Sequence, residues 1–290
     1  MSPRIAILLF IAMLSVSTSP LLARWLDAVP ALVISFWRMS FASMALWGYS
    51  AFKPKVNLSP SGRNKTIIAG MFLGIHFAFF FGALKYTTIA NATFLGTLAP
   101  VFTLIIERFY LKRKFSKFTI IGIILALIGA IIILGYQFDL SAQNTLGNIL
   151  AITCSIWLAI AMVISENIRV KDGTLPYTRM LYFVSALTLL VLIFISGDSL
   201  TGFSNKDYFG LLMLGLIPTI LGHNSMYYAM RYVSPTVVAT FPLGEPILAT
   251  IFGAIIFGGN EIPQAYIYLG GFVTLSGLLL LTLWSPKQVD

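Results

Sequence analysis

The sequence predicts an all-α integral membrane fold of ten transmembrane helices, on three grounds: too little charge to cover a soluble surface, apolar runs of membrane-spanning length, and breakers that divide those runs. Of 290 residues, 58% are hydrophobic and 10% charged. Soluble domains carry about 25% charged residues, so the outer surface of this chain must face lipid. Mean hydropathy is +0.90. A span needs about 20 apolar residues, so ten spans use most of the chain and leave no room for a soluble catalytic domain. Helices are expected over strands because the runs are continuous and rich in Leu, Ile and Ala, where barrel strands would alternate.

The runs fall near 4–23, 30–52, 66–84, 89–106, 117–135, 146–165, 176–196, 208–229, 235–257 and 263–284. Run one follows Arg4 as a signal peptide would, but the nine further spans favour a retained helix. It carries a polar stripe of Ser15, Thr18 and Ser19 ahead of Pro20. Run two contains Arg38, and run three places His76 among Phe77, Phe79, Phe80 and Phe81. Run four carries Asn91, Thr97 and a central Pro100, and run six carries Trp157 beside the lone Cys154. A single cysteine allows neither an internal disulfide nor a thiolate metal site. Run eight holds Pro218 and Asn224, with Thr219, His223 and Tyr227 four apart on one helix face. In run nine Pro242 and Pro246 flank Glu245 and remove two helix hydrogen bonds around it. Runs five and ten are spaced by Gly122, Gly129, Gly270, Gly271 and Gly277, as close helix contacts require, within the fold or at a dimer interface.

Charge placement sets the expected orientation. With a cytoplasmic N-terminus, the inner side holds fifteen cations: Arg4, Lys53, Lys55, Arg63, Lys65, Arg108, Lys112, Arg113, Lys114, Lys117, Arg169, Lys171, Arg179, Arg231 and Lys287. The outer side holds Arg24, Lys85 and Lys206, and Arg38 lies within a helix. This asymmetry puts both termini in the cytoplasm and requires an even number of spans. The formal charge of +9 is then a topology signal and a contact for anionic lipid heads along Arg108–Lys117, not a nucleic-acid surface.

The two halves repeat. Ala83-Leu84-Lys85-Tyr86 corresponds to Ala229-Met230-Arg231-Tyr232, and Pro100 to Pro246, at an offset of 146. Gly122 and Gly129 correspond to Gly270 and Gly277 at an offset of 148. Repeats over 1–135 and 146–284 would have five helices each. Five is odd, so the second copy enters the bilayer from the opposite side. Inverted repeats of this kind build secondary transporters with a binding site near the midplane.

Three segments carry a family likeness: Ser35-Phe36-Trp37-Arg38-Met39-Ser40-Phe41-Ala42, Asn91-Ala92-Thr93 through Ala99-Pro100-Val101-Phe102, and Pro242-Leu243-Gly244-Glu245-Pro246-Ile247-Leu248-Ala249. With the glycine-spaced helices that close each half, they make the chain resemble the drug/metabolite transporter superfamily, in particular its ten-helix EamA-type members. The resemblance implies an alternating-access carrier of small metabolites, such as amino acids, related compounds or drugs, in the inner (plasma) membrane. No cofactor is expected.

A charge at the bilayer centre costs at least about 2.5–3.5 kcal/mol, so Arg38 and Glu245 must face a cavity or each other. Glu245 is the candidate proton carrier or ligand for a substrate amine, and Arg38 either pairs with it or clamps a substrate carboxylate. His76, Asn91, Trp157, His223, Asn224 and Tyr227 complete the candidate substrate site, and Pro20, Pro100, Pro218 and Pro246 are the candidate hinges. A monomer and a homodimer both remain open, as do a channel and a non-transporting scaffold. A membrane-embedded enzyme is disfavoured because the chain has no H-E-x-x-H, G-x-S-x-G or cysteine cluster. The topology is checked by accessibility tags: the N-terminus and the loop 136–145 should label from opposite sides of the bilayer. Labelling from the same side rules out the inverted repeat.

Overall fold

With no water in the hydrocarbon layer, each backbone N–H and C=O must be satisfied within its own helix, and among the described residues the chain forms helices and no strand. The computed structural model describes residues 1–53, 56–135, 140–248, 251–252 and 265–284. Among these, nine segments are long and apolar enough to cross a membrane: Pro3–Trp25, Ala31–Ala51, Pro60–Tyr86, Asn91–Tyr110, Lys117–Leu134, Ala142–Arg169, Thr174–Ser196, Asn205–Ala229 and Ala265–Trp284. The ninth run of the sequence begins as a helix at Pro235. Its later part falls on residues outside the described set, as do Lys55, Lys287 and the start of run ten.

The helices are α1 (Pro3–Val16), α2 (Ser19–Trp25), α3 (Ala31–Ala51), α4 (Pro60–Tyr86), α5 (Ile89–Gly96), α6 (Ala99–Ile105), α7 (Lys117–Leu134), α8 (Thr145–Asp172), α9 (Thr174–Ser196), α10 (Asn205–Leu214), α11 (Asn224–Ala229), α12 (Pro235–Thr240) and α13 (Ala265–Trp284). Two run further than hydropathy indicates. α4 starts at Pro60, not near 66, because Ser59 caps it by accepting from the Gly62 amide at 3.0 Å, with proline at the first helical position. α8 continues to Asp172, carrying Glu166 and Arg169 on a helix where hydropathy had ended near 165.

Four spans are interrupted, each at an expected proline. Span one breaks at Ser17–Thr18 before Pro20, where the Ser15, Ser17 and Thr18 hydroxyls bond back to the carbonyls of Ile11, Met13 and Ser15 at 2.8, 2.7 and 2.7 Å. Span four breaks at Thr97–Leu98 before Pro100. The eighth contains a π-helix over Gly215–His223 that includes Pro218. In the ninth run a 3-10 turn over Phe241–Gly244 includes Pro242 and is followed by Glu245 and Pro246.

α7 and α13 form an antiparallel pair along their glycines. A Cβ on Gly122 would lie 2.9 Å from the Gly277 carbonyl oxygen, and one on Gly277 would lie 2.6 Å from that of Gly122. Gly129 and Gly270 approach each other's carbonyl oxygens in the same reciprocal way, at 2.6 Å. The glycine seam expected either inside the fold or at a dimer interface is therefore internal packing. Elsewhere α4 packs on α8 and α9, α3 on α9, α1 on the π segment, and α6 on α12.

The bundle has two ends. At the first, the N-terminal amino group donates to Thr282 O at 3.1 Å, Ser59 Oγ to Asp172 Oδ2 at 2.9 Å, and Arg179 Nη2 to Val56 O at 3.0 Å. At the second, Lys85 Nζ donates to Asp27 O at 2.8 Å and Trp37 Nε1 to Leu200 O at 2.9 Å. The N-terminus and residues 140–144, which lead into α8, thus lie at opposite ends.

Gly129→Leu would push a side chain into Thr274 Oγ1, 2.3 Å from the built Cβ, and into the α13 backbone. Overpacking of this kind costs about 1–3 kcal/mol. The thermal unfolding midpoint in detergent should fall for Gly129→Leu and hold for Gly48→Leu, whose Cβ meets nothing within 4 Å.

Candidate functional site

The helix interruptions converge on one buried cavity. Ser19 enters it from the break in span one, Arg38 from α3, His76, Phe77 and Phe80 from α4, Gly96 and Thr97 from the break in span four, His223 from the π segment, and Pro242 and Glu245 from the broken ninth run. Its volume is about 50 Å³. That holds a few waters and is well below the roughly 300–1,000 Å³ of typical small-molecule sites. In this conformation the cavity is therefore too small to hold a metabolite.

Arg38 is 1% exposed. Its Nε donates to Thr219 Oγ1 at 2.8 Å and its Nη1 to Ser19 Oγ at 2.9 Å. The guanidinium lies over the Phe77 ring at 4.2 Å, and among the described residues Nη2 has no hydrogen-bond partner. Glu245 lines the same cavity and is buried, yet among the described residues it makes no ion pair with Arg38 within 4 Å. The pairing expected as one alternative is thus not made in this conformation, and the two opposite charges face a shared space.

The two histidines meet across Phe77: His76 lies edge-on to that ring at 4.7 Å and His223 at 5.3 Å. His76 Nδ1 is 2.9 Å from Cys154 O. A carbonyl only accepts, so Nδ1 carries the hydrogen.

Four of the eight candidate site residues, Arg38, His76, His223 and Glu245, line this cavity. Trp157 stacks on Phe72 at 5.3 Å and Tyr227 packs edge-on to Tyr177 at 5.6 Å; neither they nor Asn224 line it. Asn91 lies at the second end of the bundle, where its Nδ2 and Thr87 Oγ1 both donate to Asn148 Oδ1 at 2.8 Å.

The first end is closed by charge that hydropathy had assigned to loops. Arg113 forks onto Glu166, with Nη1 to Oε1 at 2.8 Å and Nη2 to Oε2 at 2.7 Å, and also bonds Glu107. Glu107 is fully buried at the end of span four, and its Oε2 accepts from the Thr236 amide at 2.8 Å and from the Thr236 hydroxyl. One arginine so ties span four and α8 to the start of α12. Burial pulls the Arg113 pKa down, but Glu166 and Glu107 more than restore it, so it ends above its ordinary value and the cation persists. Beyond the ends of the expected runs, at the first end of the bundle, Glu107, Glu166 and Arg169 are buried as well. Arg169 donates to Tyr227 O at 3.1 Å and to Thr174 Oγ1 at 2.5 Å. Glu107 stands beside five cations of the basic segment, and a lone acid in such a run was the available signal.

The model of the EamA-like transporter family matches residues 3–135 and again 145–283. A protein of Archaeoglobus fulgidus named an uncharacterized transporter is 25% identical over 255 residues, covering 86% of each chain. YdfC of Bacillus subtilis, also named an uncharacterized transporter, is 24% identical over 277 residues, covering 91% of this chain and 89% of its own. A crystal structure superposes with a TM-score of 0.81 over 98% of both chains at 18% identity, which shows a common fold.

Arg113→Gln would leave Glu107 and Glu166 buried without their cation, a loss on the order of 3 kcal/mol. Its unfolding midpoint in detergent should drop, while that of Lys112→Gln, exposed on the same loop, should hold. Equal midpoints would show that the bridge carries no weight.

Proposed function

The chain belongs to the EamA-like transporter family, and on that premise we propose that it is a secondary transporter that carries small metabolites with both a negative and a positive group, amino acids or related compounds, across the inner membrane by alternating access. The observation that carries this reading is the pair of opposite charges, Arg38 and Glu245, lining one buried cavity without bonding each other. Arg38 presents an unbonded Nη2 to a carboxylate, and Glu245 receives an amine or a proton. The phenylalanines between the histidines offer an apolar wall.

The reciprocal glycine contacts of α7 and α13 support the inverted repeat. At the sequence offset of 148 the pair Gly122–Gly277 maps onto the pair Gly270–Gly129, as a two-fold relation between the halves requires. α7 and α13 then act as the brace, and the interruptions at Pro20, Pro100, Pro218 and Pro246 as the hinges. The Arg113 bridge closes the first end, and the Asn148 contacts with Thr87 and Asn91 close the second. Each seal breaks in turn while the other holds. The first end carries the cation-rich loops and is read as cytoplasmic.

A channel reading is separated from this one by counterflow in proteoliposomes: a carrier gives saturable accumulation of labelled substrate against an internal unlabelled pool, and a channel does not. Hits are first found by thermal shift against a metabolite panel. Glu245→Gln should abolish the pH dependence of uptake. Arg38→Gln should weaken binding of a carboxylate substrate about 10–100-fold, the range for one hydrogen bond to a charged group. Unchanged uptake and pH dependence in Glu245→Gln would overturn the proton-carrier role.

A further inference from the structure

A second cleft, of about 520 Å³, shares no lining residue with the central cavity and opens between the π-helical turn Ile106–Tyr110 that ends span four, the following loop, and the start of α7. Two cations line it, Arg108 and Lys114, with Leu104, Ile105, Phe109, Phe115 and Ile120 as its apolar part. We propose that this cleft binds one anionic phospholipid, the phosphate between Arg108 and Lys114 and the upper acyl chain along the apolar residues.

Three observations converge on that occupant. The first is charge. Among the described residues neither Arg108 nor Lys114 is paired with a carboxylate, because the nearby acids Glu107 and Glu166 are both taken up by Arg113. The second is the apolar surface. Phe109 is 76% exposed and Tyr110 83% exposed at the end of a span, and Ile120 of the lining stands one helical turn before Ile124, which with Ile121 and Ile128 forms an exposed apolar row on α7. A free phosphate would use the cations and leave these residues bare; a lipid covers both. The third is position. The cleft lies at the first end of the bundle, where the cation-rich loops would meet headgroups.

The site also touches the seal of that end. Arg108 Nη1 donates to Arg113 O at 3.3 Å, and Lys114 is the next residue along. A headgroup bound to both cations holds the loop on either side of Arg113, in the position from which Arg113 reaches Glu107 and Glu166. Lipid composition would thereby favour the closed first end.

Native mass spectrometry of the purified full chain, titrated with phosphatidylglycerol or phosphatidylcholine, tests the proposal without reference to transport. One phosphatidylglycerol should be retained, and phosphatidylcholine should not. Arg108→Gln/Lys114→Gln should weaken retention roughly 30-fold, about 5-fold for each cation, while Lys112→Gln/Lys117→Gln, on the same segment but outside the cleft lining, should keep it. Lys114→Glu, at an exposed residue, guards against a folding defect in the double variant and should lose the lipid likewise. Equal retention of the two lipids, equal loss in the Lys112/Lys117 variant, or full displacement by inorganic phosphate would each overturn the proposal. So would occupation of the cleft by a second copy of the chain, seen as a lipid-free dimer that Lys114→Glu dissociates.

Discussion

A guanidinium held out of water sets the terms for the centre of this protein. Arg38 can sit at membrane depth only if its donors are met, and helical backbone has no spare carbonyls to offer. Its two acceptors come from the places where helices fail. Ser19 precedes Pro20 at the break in span one, and Thr219 follows Pro218 in the π-helix. The irregularities in spans one and eight and the buried cation are thus parts of one arrangement: Ser19 and Thr219 accept from Arg38, and Thr219 Oγ1 in turn donates to Leu214 O at 2.8 Å. What they leave unmet among the described residues is one nitrogen of Arg38, a residue that lines the cavity together with Glu245.

The molecule divides its backbone between stiffness and pliancy. α7 and α13 are unbroken and meet through glycines at van der Waals limits, so neither can slide without a clash. Four of the spans that reach the cavity are split by proline, by serine and threonine back-bonding, or by altered helical pitch, while α3 and α4, which carry Arg38 and His76 to it, are continuous. The two ends also differ in kind. One is held by a charge triad whose two carboxylates are buried, which is costly to open unless solvent or a counter-ion enters. At the other, neutral amide and hydroxyl groups of Thr87, Asn91 and Asn148 meet, alongside an exposed Lys85–Asp27 contact, and their individual bonds are weak.

Much of this was legible in the linear sequence. Length and hydropathy located the spans, and proline marked each interruption, because both effects are local. Arg38, His76, His223 and Glu245 stood out because a polar group in a long apolar run must be accommodated, and all four reach the cavity. Trp157 did not join them, since rotation of a helix about its axis is set by neighbours far away in the chain, and Asn91 did not because it stands at the very start of span four, at the second end of the bundle. The Arg113 bridge was hidden for a related reason. Hydropathy averages a charged stretch into a loop, whereas Glu107, Arg113, Glu166 and Thr236 bond one another only after spans four and six and the start of the ninth come together.

The π-helix over Gly215–His223 has a consequence for how this chain tolerates change. A helix with i→i+5 bonding holds one residue more than an α-helix over the same rise, so this stretch behaves as an insertion absorbed in place. Remove one residue between Thr219 and His223, and the segment can relax to ordinary pitch with no loss of hydrophobicity. Everything beyond would then keep close to its present orientation, whereas the same deletion in a regular α-helix would turn the rest of the span by about 100°. The eighth span thus has one residue to spare at this place and none in its regular turns.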